Sequence, residues 1–412
     1  MKLLLLFTLL ATLLIAKEQK QTNSLIIHKP FDAALFAITQ NYDYSIAAAG
    51  FSNNYKVHTQ TSKSYSDPFS YLADISNAYG PRMTLVSCTA QMQKIRSKVL
   101  TLHEFSKAVA LKKTPRNGYF VGGYTTDGKL LVLKLTANGD KLFSKKFGTQ
   151  NYNKLHQLLL LQDGGVLAIA SSFTTRNPKE PIFQTGLGDN DIFLTRLSKN
   201  GTILWSKKYG GASDDRGIDA AEADDGTLYL LSTRTDQEKK SIKVMRLSQH
   251  GDRLWSFTIP TDAKTYPFIK AHRIISLRDG SFVILLSQID TTAKEQIRIL
   301  KIDAQRHILL DRTIATKESA RLVDLKAFRD GRLAAVGFID SKKKSHDGVV
   351  MIFSAALDLL QQHSYGGESY DNFYALTILH NSKIAVVGEY TPADSQEHNM
   401  WLLLLRPDGT KE

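Results

Sequence analysis

Cysteine is almost absent from this chain, and several other absences narrow the field before anything present is read. Of 412 residues only Cys88 carries a thiol, so no intramolecular disulfide can form and stability has to come from packing. Cys88 lies in the strand-like run Thr84-Leu-Val-Ser-Cys-Thr-Ala90, where a small buried thiol is the expected occupant. A membrane-spanning helix needs about 20 apolar residues. The stretch at residues 3–16, after Lys2, is shorter than that and runs straight into Lys17-Glu-Gln-Lys20. Its charged start and short apolar core read as a signal peptide over residues 1–16, with an uncleaved anchor as the alternative because Leu14 is large for a cleavage site. No cysteine near that junction offers a lipid attachment point. Also missing are His-x-x-x-His, paired cysteines, a glycine-rich phosphate loop and a Gly-x-Ser-x-Gly elbow, which leaves the common metal, nucleotide and serine-hydrolase mechanisms without a motif.

Positive charge is abundant. The balance of 53 Lys and Arg against 40 Asp and Glu gives a formal charge of +13, which favours anionic partners such as acidic polymers, lipid headgroups or acidic proteins. For an exported chain, periplasmic or secreted, nucleic acid is not the expected one. The lysines fall in scattered pairs, Lys112-Lys113, Lys145-Lys146, Lys207-Lys208 and Lys239-Lys240, with a run at 342–344. Such pairs read as solvated outer edges, where lysine discourages edge-to-edge sheet pairing.

Against that background one phrase of about fifty residues recurs. A clear copy runs Asp191-Ile-Phe-Leu-Thr-Arg-Leu-Ser-Lys-Asn-Gly-Thr-Ile-Leu-Trp-Ser-Lys-Lys-Tyr-Gly-Gly211, and the next copy puts Trp255 fifty residues after Trp205. A repeat of that length, built from short strands and tight turns, marks a propeller blade of four strands, a to d from the centre outward. Inner strands are expected to start near Ala33, Ser106, Asn153, Gly217, Ile269, Arg321 and Asn372. The a-to-b turns carry Asn117-Gly118, Asp163-Gly164-Gly165, Asp225-Gly226, Asp279-Gly280 and Asp330-Gly331. The c-to-d turns carry Asn138-Gly139, Asn200-Gly201 and His250-Gly251. These pairs suit hairpins whose central residues need positive φ.

The two ends complement each other. Ser24-Leu-Ile-Ile-His-Lys-Pro-Phe31 aligns with Thr202-Ile-Leu-Trp-Ser-Lys-Lys-Tyr209 as a d strand without a, b or c before it, and Met400-Trp-Leu-Leu-Leu-Leu-Arg-Pro-Asp-Gly409 reads as a c strand without a d. Pairing them removes two open edges. The expectation is an all-β, seven-bladed β-propeller closed by its N-terminal and C-terminal strands: a tail over 17–23, then a single domain over 24–412 with an insertion at 52–83.

The stretches Ile192-Phe-Leu-Thr-Arg-Leu-Ser-Lys-Asn-Gly201, Leu204-Trp-Ser-Lys-Lys-Tyr-Gly-Gly211 and Asp214-Asp215, echoed at Tyr365-Gly-Gly367 with Tyr370-Asp371, make the chain resemble bacterial propeller repeats of the seven-bladed and quinoprotein-like types. Quinone-dependent dehydrogenases of that appearance carry Thr-Gly before the repeat tryptophan. Lys199-Asn-Gly201 and Gln249-His-Gly251 depart from that pattern, so the resemblance implies a propeller without a quinone. No cofactor or metal is expected. Gly188-Asp189-Asn190-Asp191 places oxygen donors in a loop, but it lacks the late glutamate of a calcium loop and reads as turn chemistry.

Strand order puts the d-to-a and b-to-c connections on one rim, and the extra length falls there: 52–83, 173–190, 340–347, 391–399 and 261–268. Within the first of these, Ser66-Asp67-Pro68 begins a helix with Phe69, Leu72, Ala73 and Tyr79 on one face, ending at Gly80-Pro81. Long variable loops on one rim imply that contacts are made there. Around that mouth the expected polar groups are Asp32, Asn153, His156, Asp214, Asp215, Arg216, Lys270, His272, Arg273, Tyr370, Asp371 and Asn372. Asp214-Asp215 and Tyr370-Asp371 hold matching repeat positions, which is equally the signature of loop bracing. Taken together, these features imply a non-catalytic exported propeller holding an envelope protein or anionic polymer on its looped rim. A periplasmic lyase or hydrolase acting on carbohydrate, or a small-ligand sensor using the channel mouth, are the alternatives.

Overall fold

The computed structural model describes residues 18–21, 23–29, 31–53, 80–101, 104–115, 118–150, 152–173, 190–211, 213–236, 239–340 and 345–411. Their strands form seven antiparallel sheets, six simple meanders of four strands and one of five in which the N-terminal strands lie beside the C-terminal one. The inner strands are Ala33–Gln40, Ser106–Lys113, Asn153–Leu160, Asp214–Glu222, Phe268–Ser276, Ala320–Ala327 and Asn372–Ile378. Each touches the next and the last touches the first. The molecule is therefore a seven-bladed β-propeller, with inner strands starting within three residues of where the sequence puts them.

The composition of each strand follows from its place in the blade. Middle strands are covered on both faces by neighbouring blades, so they read as continuous apolar runs such as Val166–Phe173. Outer strands are wet on one side, so Ile203–Tyr209 alternates, with Trp205, Lys207 and Tyr209 on the half-buried face and Leu204, Ser206 and Lys208 exposed. One blade cannot bury both of its faces. Seven apolar clusters fill the seven gaps between adjacent blades; in one of them Met83 and Leu85 of blade 1 meet Tyr119, Val121 and Leu131 of blade 2.

The repeated aromatic and glycine turn out to be the two halves of a latch. Tyr209 Oη donates to the Gly251 carbonyl of the next blade at 2.5 Å, and Tyr365 Oη does the same to Gly409. Gly251 has φ 80°, and a Cβ there would sit 2.9 Å from Tyr209 Oη and 3.0 Å from the Trp205 ring. Only glycine permits that approach.

Ring closure uses the first strand of the blade domain. Ser24–Ile27 pairs with Asn399–Leu405 in the register Ser24↔Leu403 to Ile27↔Met400. Leu25 and Ile27 are buried there, and Trp401 Nε1 donates to Ser24 Oγ at 2.9 Å. Glu18–Gln21 is a further edge strand, antiparallel to Ser24–Ile27. Residues 17–23, expected as a plain tail, thus include a short hairpin arm.

Every inner strand carries a one-residue bulge at the same register, at Phe36, Val109, His156, Ile218, His272, Val323 and Tyr374. A bulge bends the strand and re-aims the residues beyond it. These seven positions give a common ruler for the channel. On one rim most connections are five-residue turns such as 161–165, 223–227 and 277–281, and the longest is 89–95. The long ones, 54–80, 174–189, 391–398 and 259–267, join strand ends on the other rim, whereas 341–345, expected to be long, spans only five residues. The first is shorter than the expected 52–83, because Ser52 and Asn53 pair with Arg82 and Pro81. The helix expected from Ser66, the run at 342–344, and Gly188-Asp189 fall outside the described residues.

Candidate functional site

Two residues before the bulge, the seven inner strands present Ala34, Lys107, Lys154, Arg216, Lys270, Arg321 and Asn372. Five of the seven are cations at a single height of the channel, at its looped-rim mouth. Arg321 forms a two-point ion pair with Glu295 at 2.6 and 2.5 Å, and Arg216 is paired with Asp214 at 3.0 Å. Lys107, Lys154 and Lys270 make no ion pair or hydrogen bond with a carboxylate among the described residues, although the charges of Asp32 and Glu389 reach Lys107 and that of Glu295 reaches Lys270. Lys107 Nζ stands 4.2 Å from the centroid of Phe51 and Lys154 Nζ 5.9 Å from that of Tyr124, each ring belonging to the preceding blade. Such a ring steadies an ammonium without neutralising it. Burial lowers the Lys107 and Lys270 pKa values.

One residue before that ring lie Asn153, Asp215 and Asp371, all buried. Asn153 Oδ1 accepts from the Thr149 backbone at 3.3 Å, and Asp371 accepts from the Gly367 and Thr391 backbone at 2.6 and 2.8 Å. They brace the d-to-a turns, as matching repeat positions suggested. Asp215 holds the same register with Oδ2 unbonded among the described residues, and burial raises its pKa. Burial likewise pushes Asp371 up to about 6. Asp32 receives the His398 backbone N–H at 3.0 Å beside the closing strands. Asp214 takes Asn190 Nδ2 at 2.6 Å as well as Arg216. Asn372 donates to Glu389 at 2.8 Å, and Tyr370 lies exposed on the rim, edge-on to His346.

His156 and His272 occupy the bulge itself. Each shares a 2.9 Å hydrogen bond with a serine of its own blade, Ser171 and Ser287. Burial, with the neighbouring cations adding to it, pushes their pKa values down to about 4 and about 3. Neutral, tethered imidazoles at this depth pack the channel wall. Their folded pKa values lie below the unfolded value of about 6.5, so the unfolded chain binds more protons as pH drops below that point. Stability is expected to fall by about 1–2 kcal/mol per histidine between pH 7 and 5. Denaturant unfolding at the two pH values checks this, and His272→Phe should flatten the dependence.

Arg273 is not at this mouth. Because the bulge at His272 turns the strand, Arg273 lines the channel on the way to the short-turn rim. Its guanidinium lies between two buried carboxylates at the same register in the flanking blades, 2.7 Å from Asp324 and 3.8 Å from Asp219. Those carboxylates also reach across blade boundaries: Asp219 Oδ2 accepts from the Ile274 backbone at 3.1 Å and Asp324 Oδ2 from Leu376 at 3.0 Å. In each case the acceptor takes an N–H two residues past the next blade's bulge. Farther toward the short-turn rim come Lys112 and Lys326. Lys112-Lys113, expected on an outer edge, is therefore on the innermost strand, whereas Lys145, Lys146, Lys207 and Lys208 do lie on outer strands. Apolar alternation in Ser106–Lys113 fades at its end, which hid its place.

Sequence reading thus missed Lys107, Lys154 and Arg321 in the ring, and Lys112, Asp219, Asp324 and Lys326 below it. The only available signal was position relative to the bulge, which shows once strands are paired. Among the described residues no group of three or more His, Cys, Asp or Glu is placed to hold a metal ion, and no helix there is long and apolar enough to cross a membrane. Cys88 is buried, with its pKa pushed up to about 12 by burial.

No protein-family model matches the chain, and no curated protein matches its sequence. Among solved structures it is similar to the hydrazine synthase of Kuenenia stuttgartiensis, with a TM-score of 0.56 at 9% identity over 92% of this chain and 97% of that one. It is also similar to Sqt1 from Chaetomium thermophilum, with a TM-score of 0.50 at 11% identity over 94% and 99%. At such identities the likeness is one of fold alone.

Proposed function

We propose that the chain is a non-catalytic, exported propeller that holds an anionic partner, a protein or a cell-envelope polymer, over the looped-rim mouth of its channel. The observation that carries this is the recurrence of Lys or Arg at one register in five of seven inner strands, three of them in no ion pair among the described residues. An array of like charges costs stability through self-repulsion, and an acidic chain lying across the mouth relieves it. The histidines nearest the ring are tethered and neutral, which gives no support to an acid–base role for them.

The test uses polygalacturonate and poly-glutamate as probes. Wild type is expected to bind them with an affinity that falls as salt rises. Lys107→Ala, Lys154→Ala and Lys270→Ala combined should weaken binding about tenfold or more, at roughly 0.2–1 kcal/mol per exposed contact. Lys207→Ala with Lys208→Ala removes outer-edge charge and should leave binding unchanged. Equal losses in both variants would reduce the ring to general basicity. Turnover of any member of a glycan panel, abolished by the ring substitutions with folding intact, would replace the reading with a carbohydrate-active enzyme.

A further inference from the structure

The end of the channel opposite the cation ring holds a second set of charges. Two adjoining cavities of about 290 and 410 Å³ open there, sharing Lys112, Gln157, Leu160, Arg273 and Lys326 in their walls. Together they fall within the usual size for a small-molecule pocket, about 300–1,000 Å³. One side of the vestibule is apolar, formed by Phe36, Ile38, Val109, Leu111 and Leu376. The other side carries the Asp219–Arg273–Asp324 array.

The charges are shared unevenly between the two cavities. Asp219 is taken up by Arg273 and the Ile274 N–H, and Asp324 by Arg273, two backbone N–H groups and Lys326 at 3.4 Å. Lys112, on blade 2 and nearly opposite Lys326 on blade 6, has neither hydrogen bond nor ion pair among the described residues. A half-buried ammonium costs solvation, and an unpaired one recovers none of it. In the apolar-walled cavity Lys112, Lys113, Arg273 and Lys326 face Asp324 alone, a surplus of positive charge, whereas Asp219, Glu222 and Asp224 line the adjoining cavity.

We propose that this vestibule binds a small organic carboxylate, its acid group between Lys112 and Lys326 and its apolar body against Phe36, Val109 and Leu111. The site is separate from the cation ring and independent of what binds there. Burial pushes the Lys112 pKa down to about 8, with the Lys326 charge adding to it. A carboxylate placed against the ammonium raises it again. Binding should therefore take up a proton above pH 8 and weaken as pH rises further.

Hexanoate and benzoate are the probes, with hexanol as the uncharged control and inorganic phosphate to separate a carboxylate site from a general oxyanion site. By titration calorimetry, both carboxylates should bind wild type at least tenfold more tightly than hexanol, and more weakly at pH 9.5 than at pH 7. Lys112→Met should cost at least tenfold while keeping the wild-type Tm. Lys154→Ala in the ring should change nothing. On the ¹³C-methylated protein, the resonance missing from Lys112→Arg should titrate near pH 8 when free and at least half a unit higher with hexanoate. Phosphate binding as tightly as the carboxylates would overturn the assignment to an amphipathic acid. Equal hexanoate binding by wild type and Lys112→Met, or an unmoved Lys112 titration, would overturn the site.

Discussion

Replacing Asp324 with alanine is expected to remove about 3–5 kcal/mol of stability, the usual cost of breaking a buried ion pair and stranding one partner. Asp324 is 2% exposed. It accepts from Arg273 Nε at 2.7 Å, from its own neighbour Leu325 at 2.9 Å and, across the blade boundary, from Leu376 at 3.0 Å. Removing the carboxylate leaves two buried N–H groups without that acceptor and the Arg273 guanidinium with only the more distant Asp219. Burial works against the ionised form, but Arg273, Lys326 and the backbone donors outweigh it and hold the pKa well below the usual carboxylate range. The pH dependence takes its sign from that depression. A depressed folded pKa contributes stability that is fully present above the unfolded value of about 3.9 and is lost as pH falls below it. Asp324→Ala should therefore show less additional destabilisation than wild type on acidification from pH 4 to 2. Guanidinium melts at pH 7 and in that acid range test both statements. A loss under about 1 kcal/mol at pH 7 would mean that the latch between blades 6 and 7 adds only what an ordinary hydrogen bond does.

A chain that begins at Phe31 should fare worse still. Leu25 and Ile27 are each 1% exposed, and burying a side chain of that size contributes about 1.5–3 kcal/mol. With them go the ladder from Ser24↔Leu403 to Ile27↔Met400 and the Ser24 acceptor of Trp401 Nε1. The Asn399–Leu405 strand is then left as an open edge, apolar from Met400 onward, which is a template for pairing with another molecule. The expected result is a fall in Tm of about 10 °C or more, with dimers or larger species in size-exclusion chromatography. A peptide covering residues 18–29 should restore the monomer and most of the Tm. A truncated chain that stays monomeric and melts like wild type would show that closure rests on the inner strands alone.

Turn chemistry was the most legible feature of the fold. Gly164, Gly201, Gly226, Gly251, Gly280 and Gly331 all take the positive φ expected of their hairpins. Where the glycine is missing, Tyr44, Arg306, Leu357 and Ser382 adopt it instead. The candidate site was less legible because its residues are a ring assembled one per blade, spaced along the chain by whole repeats. Arg216 and Lys270 stood out as charges at strand starts. Lys107, Lys154 and Arg321 share their register, but nothing local separates them from lysines on outer strands.

What the sequence determined by itself is the architecture: a period of about fifty residues, glycine-bearing hairpins, and two ends that each lack what the other supplies. These are local patterns, since strand alternation and turn dihedrals are set by neighbours along the chain. The tertiary structure alone decided which residues face the channel and at what height. A one-residue bulge in each inner strand reverses the facing of everything after it, and that reversal turns Arg273, three residues along the strand from Lys270, onto the channel wall toward the other mouth. It also decided which charges are free, because Asp324 finds its donors on blades 5, 6 and 7. No spacing along one strand records a partner supplied by another.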